Sequence, residues 1–218
     1  SFCRMRQMDS RVHFRLLPPT SVPSEPQDLY YSDLRNFGTF RVSVDPQELA
    51  AKLASLGPSF LESLSLQDFL KIVRKQTKTR YLAVMLMDQS KMSGVGNYIL
   101  SEALYRSRID PFITTGEVQE DQWEGLYHAI TEVTWQSYRA QGVTRKRAPT
   151  GGGAYRGGFQ APSGDAGDFA SQLQVYGRQL DRSGRRVIRE TGPHKRTIWY
   201  VEEQLTESGR VNRLKFNN

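Results

Sequence analysis

Residues 89–97 read Q-S-K-M-S-G-V-G-N and hold the residue types that a phosphate seat needs. A glycine-rich turn that opens a helix leaves backbone N–H groups unpaired, with the positive end of the helix dipole at their tips. Gly94 and Gly96 carry no Cβ, so an anion's oxygens can approach the backbone closely. Asn97 is placed to cap the new helix with its side-chain oxygen, or to turn its amide outward as a donor. The same residues would serve an ordinary connection between two helices with an asparagine cap and no ligand. On the turn alone the two readings stand level.

The elements around this turn must position it. Residues 81–88 form one apolar-periodic segment, and a second begins near Val95, with Ile99, Ala103 and Leu104 on one helical face. Upstream, Asp45 and Pro46 open a helix that runs to about Leu56 and stops at Gly57-Pro58. Residues 65–75 form another helix, with Leu66, Phe69, Leu70 and Val73 on one side. The acid-free run Arg74, Lys75, Lys78 and Arg80 reads either as a solvated face or as a phosphate track beside the turn. Downstream, Ile109-Asp110-Pro111 breaks the helix, and residues 118–141 form a long amphipathic one. Its aromatics, Trp123, Tyr127, Trp135 and Tyr138, are expected in the core, and His128 is structural or on the surface. Residues 12–16, 29–31 and 39–44 read as strands around a proline-rich loop at 18–26.

The totals narrow the class. There are 30 Lys+Arg against 23 Asp+Glu, a formal net charge of +7, which hints at a polyanionic partner without proving one. The single cysteine, Cys3, excludes an internal disulfide and a cysteine-rich zinc cluster. The longest apolar run is far too short to span a bilayer. Residues 142–167 are glycine-rich, but no strand followed by Gly-Lys-Ser/Thr makes them a nucleotide-binding loop. A soluble protein of a reducing compartment, nuclear or cytoplasmic, is the expectation.

Five short motifs then carry a resemblance. M-D-Q-x-x-x-x-G-V-G-N-Y-I-x-x-E-A-L-Y at 87–105 resembles the helix–two-turn–helix segment of the formamidopyrimidine-DNA glycosylase/endonuclease VIII family. Y-S-D-L-R-N-F-G-T-F at 31–40, L-G-P at 56–58, Q-V-Y-G-R at 174–178 and K-R-T-I-W-Y at 195–200 are similar to others of its motifs, in the family's order. No one of them is specific; their number and order are.

The resemblance implies an α+β fold in three parts. Residues 1–45 would be the later part of an N-terminal β-sandwich, and 46–172 a helical domain with a lesion-recognition loop at about 142–167. Residues 173–218 would be a finger hairpin that lacks the family's four cysteines, followed by a basic, fraying tail. Such a zincless finger binds no metal and must be held by packing, with Val187, Ile188, Ile198 and Trp199 as contributors. The family's activity is removal of oxidised bases, followed by strand scission through β,δ-elimination, with no cofactor. Zincless members cluster on the endonuclease VIII side, which favours oxidised pyrimidines and over-oxidised guanine products, while plant members with formamidopyrimidine-type preference lack the zinc ligands too. The partner implied is double-stranded DNA with an oxidised base or an abasic site, bound by a monomer and with no membrane involved.

Residue by residue, the resemblance assigns Arg196 to the finger arginine that grips phosphates beside the lesion and assists elimination. Asn97, Lys78, Lys91 and Arg11 fall to phosphate contacts. Arg35 and Phe37 fall to the wedge that fills the duplex where the base has left. Filling that hole recovers part of the few kcal/mol that unstacking costs. The family's nucleophile is an N-terminal proline amine next to a glutamate, and no Pro-Glu opening is present, so no residue is assigned that role. The expectation is that a preceding segment has been left out; the alternative is a non-catalytic reader of damaged DNA.

Overall fold

The computed structural model describes residues 12–16, 25–31, 43, 45–62, 64–140 and 169–216. Two strands, β1 (Val12–Leu16) and β2 (Gln27–Tyr31), pair antiparallel, with Phe14 opposite Leu29. The expected strand at 39–44 lies outside the described residues except for Ser43, which is not in a strand. Arg11, Arg35, Phe37 and the loop at 142–167 also lie outside them.

Helix α1 (Pro46–Ala54) starts where the proline predicts, with the Asp45 carboxylate accepting from the Gln47 N–H at 2.9 Å. Helix α2 (Leu66–Arg74) is capped by Ser65, whose hydroxyl accepts from the Asp68 N–H at 3.1 Å. Its Phe69 and Val73 are buried, as their spacing requires. The short α3 (Leu82–Leu86) and α4 (Asn97–Arg106) flank the glycine turn, and α5 (Glu120–Arg139) packs across α4 and α2.

One hydrophobic core joins α2, α3, α4 and α5. Leu82, Met85, Leu86, Met92, Leu100, Ala103, Leu104, Phe112, Leu126, Ile130 and Val133 are all essentially inaccessible. Each such side chain contributes about 1.5–3 kcal/mol of burial. The core also takes in Phe169 from the single turn α6 (Phe169–Gln172), and Ile198 and Tyr200 from the finger hairpin. That hairpin is β3 (Val187–Thr191) paired antiparallel with β4 (Thr197–Val201), Val187 opposite Val201 and Thr191 opposite Thr197. The contributors expected from the sequence are present: Val187 and Ile198 buried, Ile188 and Trp199 partly so.

Two expectations need correction. Tyr138 is 63% exposed, its ring edge-on to Trp135, while the neighbouring Ser137 takes the buried position; Trp123, Tyr127 and Trp135 are buried or half-buried. Residues 207–216 are not a fraying tail. They form α7 (Glu207–Arg213) and a 3₁₀ turn (Leu214–Phe216), with the Phe216 ring against Tyr81 and Phe112. Thr206 caps α7, and the buried Asp110 accepts from both the Thr206 N–H (2.6 Å) and its hydroxyl (2.9 Å). Gly209 lets α7 lie against that carboxylate, since a Cβ there would stand 1.7 Å from Asp110 Oδ2.

Candidate nucleic-acid interface

The turn before α4 is braced from several sides. Gly57 N–H donates to the Gln89 carbonyl (2.8 Å), and Ser93 N–H to the Pro58 carbonyl (3.0 Å). A Cβ on Gly57 would lie 2.4 Å from the Lys91 carbonyl carbon, so the L-G-P motif is a close-packed prop for the turn. Gln89 reaches across the loop: its Nε2 donates to the Val95 carbonyl (3.0 Å), and its Oε1 accepts from the Gly94 N–H (2.9 Å). Asp88 accepts from the Ser90 hydroxyl and from Arg80, which hold its pKa down to about 2. Gly94 has φ +92°, a conformation that favours glycine.

Asn97 does not cap the helix. The N-cap is Gly96, which has no side chain to offer, so the first-turn N–H groups of α4 receive no side-chain cap. The Asn97 amide turns to the finger hairpin instead. Its Nδ2 donates to the Thr197 carbonyl at 2.7 Å, and its Oδ1 lies 2.8 Å from His194 Nε2. A carbonyl can only accept, which fixes the amide's orientation, so His194 Nε2 must carry the proton. Burial and the nearby Arg196 charge push the His194 pKa down to about 4, so the ring is neutral at neutral pH.

Arg196 sits between these two partners in sequence and is exposed. The hairpin turn that presents it is tight. Lys195 takes φ +59°, Lys195 N–H donates to the Gly192 carbonyl (2.9 Å), and Gly192 N–H donates to the Arg196 carbonyl (2.8 Å). Asn97 and Arg196 are thereby brought together, although 99 positions separate 97 from 196. Lys91 is half-buried in the braced turn, and Lys78 is exposed on the connection between α2 and α3. The basic run beside them is thinner than it looked, because Arg74 pairs with Glu120, and Arg80 with Asp88 at 2.8 Å.

The sequence reading missed the face of α4 that holds the hairpin. Asn97, Ser101 and Tyr105 recur every four residues and all meet the C-terminal segment. Ser101 Oγ accepts from the Trp199 N–H (3.4 Å), and the Tyr105 hydroxyl donates to Asp181 (2.9 Å). Beside them the fully buried Glu102 accepts from the N–H groups of Gln174, Val175 and Tyr176 at 2.8–2.9 Å. Of the polar residues on this face the sequence singles out Asn97 alone; the period of four that continues to Ser101 and Tyr105 is the signal that would extend it.

Asp181 lies in residues 179–183, which, with 201–204, stand where the resemblance places the family's metal ligands. It accepts from the N–H groups of Ser183 (2.8 Å) and Arg185 (2.9 Å), from Arg185 Nε (2.7 Å) and from Tyr105. Burial alone would raise its pKa, but these donors outweigh it and hold the carboxyl below its usual range. Gln204, in the second such stretch, accepts from the Val201 N–H (3.0 Å) and donates to the Ile109 carbonyl (3.0 Å). Among the described residues no three His, Cys, Asp or Glu side chains converge on a point.

The braced turn, the start of α4 and the hairpin turn that carries Arg196 adjoin one another. Residues 56–147 match the formamidopyrimidine-DNA glycosylase H2TH domain. The chain belongs to the formamidopyrimidine-DNA glycosylase/endonuclease VIII family. It is 29% identical over 174 residues to a formamidopyrimidine-DNA glycosylase of Xanthomonas campestris, covering 78% of this chain and 59% of that one. To that of Thermus thermophilus it is 30% identical over 172 residues, covering 76% and 60%. The chain thus spans about three fifths of the length of these relatives.

Solved members of the family agree in fold. The crystal structure of the MutM (Fpg) protein from Thermus thermophilus is 27% identical, with a TM-score of 0.62, covering 88% of this chain and 71% of that one. The Lactococcus lactis Fpg in complex with DNA containing an abasic site is 21% identical, with a TM-score of 0.65, covering 92% and 73%. The fold shared with these family members is mixed helix and sheet, as expected.

Proposed function

We propose that this chain acts as a DNA glycosylase/AP lyase of base-excision repair on double-stranded DNA with an oxidised base or an abasic site. The observation that carries the reading is the joining of Asn97 and Arg196 through Thr197 and His194 at an uncapped helix start. Two phosphate-seeking groups held in one frame suit a backbone distorted around a turned-out nucleotide. One Nδ2 hydrogen of Asn97 is used by Thr197 and the second remains for a phosphate oxygen. Arg196 offers a fork to the neighbouring phosphate and assists elimination at the lesion. Lys91 and Lys78 add phosphate contacts, and Arg11, Arg35 and Phe37 act on the duplex from the N-terminal segment.

In this reading the finger works without metal, the clip at Asp181 and Gln204 taking over the bracing. Oxidised pyrimidines and over-oxidised guanine products are the favoured bases, and scission proceeds by β,δ-elimination. The protein acts as an intracellular monomer. Among the described residues, no helix is long and apolar enough to cross a membrane.

Borohydride trapping tests this. The full-length protein, whose amine nucleophile is not assigned to any residue of this sequence, is incubated with a duplex bearing an abasic site or an oxidised pyrimidine. A covalent adduct and strand scission are expected, with Arg196→Ala impairing scission more than base release. Binding with neither adduct nor scission would leave a non-catalytic reader of damaged DNA.

A further inference from the structure

The Asn97 amide has two faces that a half-turn would exchange, and only one leaves a donor facing outward. Thr197 demands an N–H, because its carbonyl can only accept. On the other side stands His194, with Nε2 2.8 Å from Oδ1. A flipped amide would set oxygen against oxygen and N–H against N–H, so the pair of partners permits one orientation.

The imidazole itself needs explaining. Its Nδ1 is buried and has no hydrogen-bond partner among the described residues. A bare acceptor of that kind costs about 1–3 kcal/mol. The ring packs over Gly192, where a Cβ would stand 2.8 Å from Cε1 and 2.9 Å from Nδ1. An apolar ring would fill that space and leave no acceptor bare. Packing therefore does not account for histidine here; the bond from Nε2 to Asn97 does.

Resting on the DNA-binding reading above, we propose that His194 is a positioning residue. Its Nε2–H locks the Asn97 amide so that the free Nδ2 hydrogen and the Arg196 guanidinium address neighbouring phosphates of one strand. It acts through Asn97, touching no part of the nucleic acid itself. The hairpin turn supplies both His194 and Arg196, so one loop sets the helix-borne donor and the arginine in register.

Two variants separate the bond from the packing. His194→Phe keeps a ring over Gly192 and removes the donor; His194→Gln restores a donor. Binding to a duplex bearing a tetrahydrofuran abasic-site analogue is read by fluorescence anisotropy, with a thermal melt of each protein. H194F is expected to weaken binding about tenfold while its melting temperature is held or rises. H194Q is expected to recover most of that loss. The double variant H194F/N97A is expected to bind no more weakly than N97A, because the two residues act as one unit.

Wild-type affinity in H194F overturns the proposal, as does additivity with N97A or a failure of H194Q to rescue. In all three of those cases binding by the wild type leaves the DNA reading standing. If the wild type does not bind the duplex, the DNA reading falls and this proposal with it. Should H194F fold poorly, the comparison of H194L, which also removes the donor, with N97A/H194L decides in its place: coupling supports the proposal and additivity overturns it.

Discussion

Asn97 donates from Nδ2 to the carbonyl of Thr197 at 2.7 Å, a bond between residues 100 positions apart that ties the first turn of α4 to the start of β4. Removing it should therefore act twice. Asn97→Ala is expected to cost about 1–2 kcal/mol of stability, a fall of roughly 2–8 °C in Tm, and to weaken duplex binding. Because Asn97 is neutral, the slope of log affinity against log salt should hold in that variant. Arg196→Ala should lower the slope by about one. Parallel salt titrations of the two variants check the distinction.

Glu102 caps a bend of the chain from inside the protein. Its carboxylate serves the N–H groups of residues 174–176 and has no exposure. Glu102→Ala would leave those donors bare. It should cost about 3 kcal/mol, or roughly 6–12 °C in Tm, measured by calorimetry. Glu102→Gln should recover only part of this, since an amide presents a donor where the backbone already donates.

The clip around Asp181 braces the finger through hydrogen bonds. Asp181→Ala should destabilise by about 2–4 kcal/mol, and Tyr105→Phe, which deletes a single bond to it, by about 1 kcal/mol. Chelator treatment should leave the melting curve of the wild type where it was. A drop in Tm with chelator, restored by zinc, would contradict the metal-free finger.

The pH dependence follows from His194. Its folded pKa is pushed down from 6.5 to about 4, so between those values the unfolded chain binds more protons than the folded one. Stability is then complete above about pH 6.5 and declines as pH falls towards 4. Thermal melts across that range should show the decline, and H194Q, which cannot titrate there, should flatten it. Asp181 adds a second loss only at lower pH, since its folded pKa lies below the usual carboxylate range.

Much of this was legible in the sequence, and for stated reasons. Asp45, Pro46 and Ser65 announce helix starts because capping is local chemistry, and α1 and α2 begin where those residues say. Ile99, Ala103 and Leu104 mark the buried face of α4 because burial follows helical period. What stayed hidden depends on residues far apart in the chain. Nothing near position 97 announces Thr197 or His194, and nothing near Asp181 announces Tyr105. The docked α7 went unread for the same reason: its anchors, Asp110, Phe112 and Tyr81, lie about a hundred residues away or more. Asn97 was singled out for the wrong local partner, since Gly96 rather than Asn97 occupies the cap position.

The rooting of Ile198 and Tyr200 in the main core has a mechanical consequence. A hairpin so anchored is no jaw. To swing it would mean drawing two large apolar groups out of a packed interior, at a cost of several kcal/mol. On the DNA-binding reading proposed above, its tip and the start of α4 would work as a fixed gauge to which a double helix must bend. A lesion that has already softened the stack makes that bend cheaper, so discrimination can begin before any base is inspected.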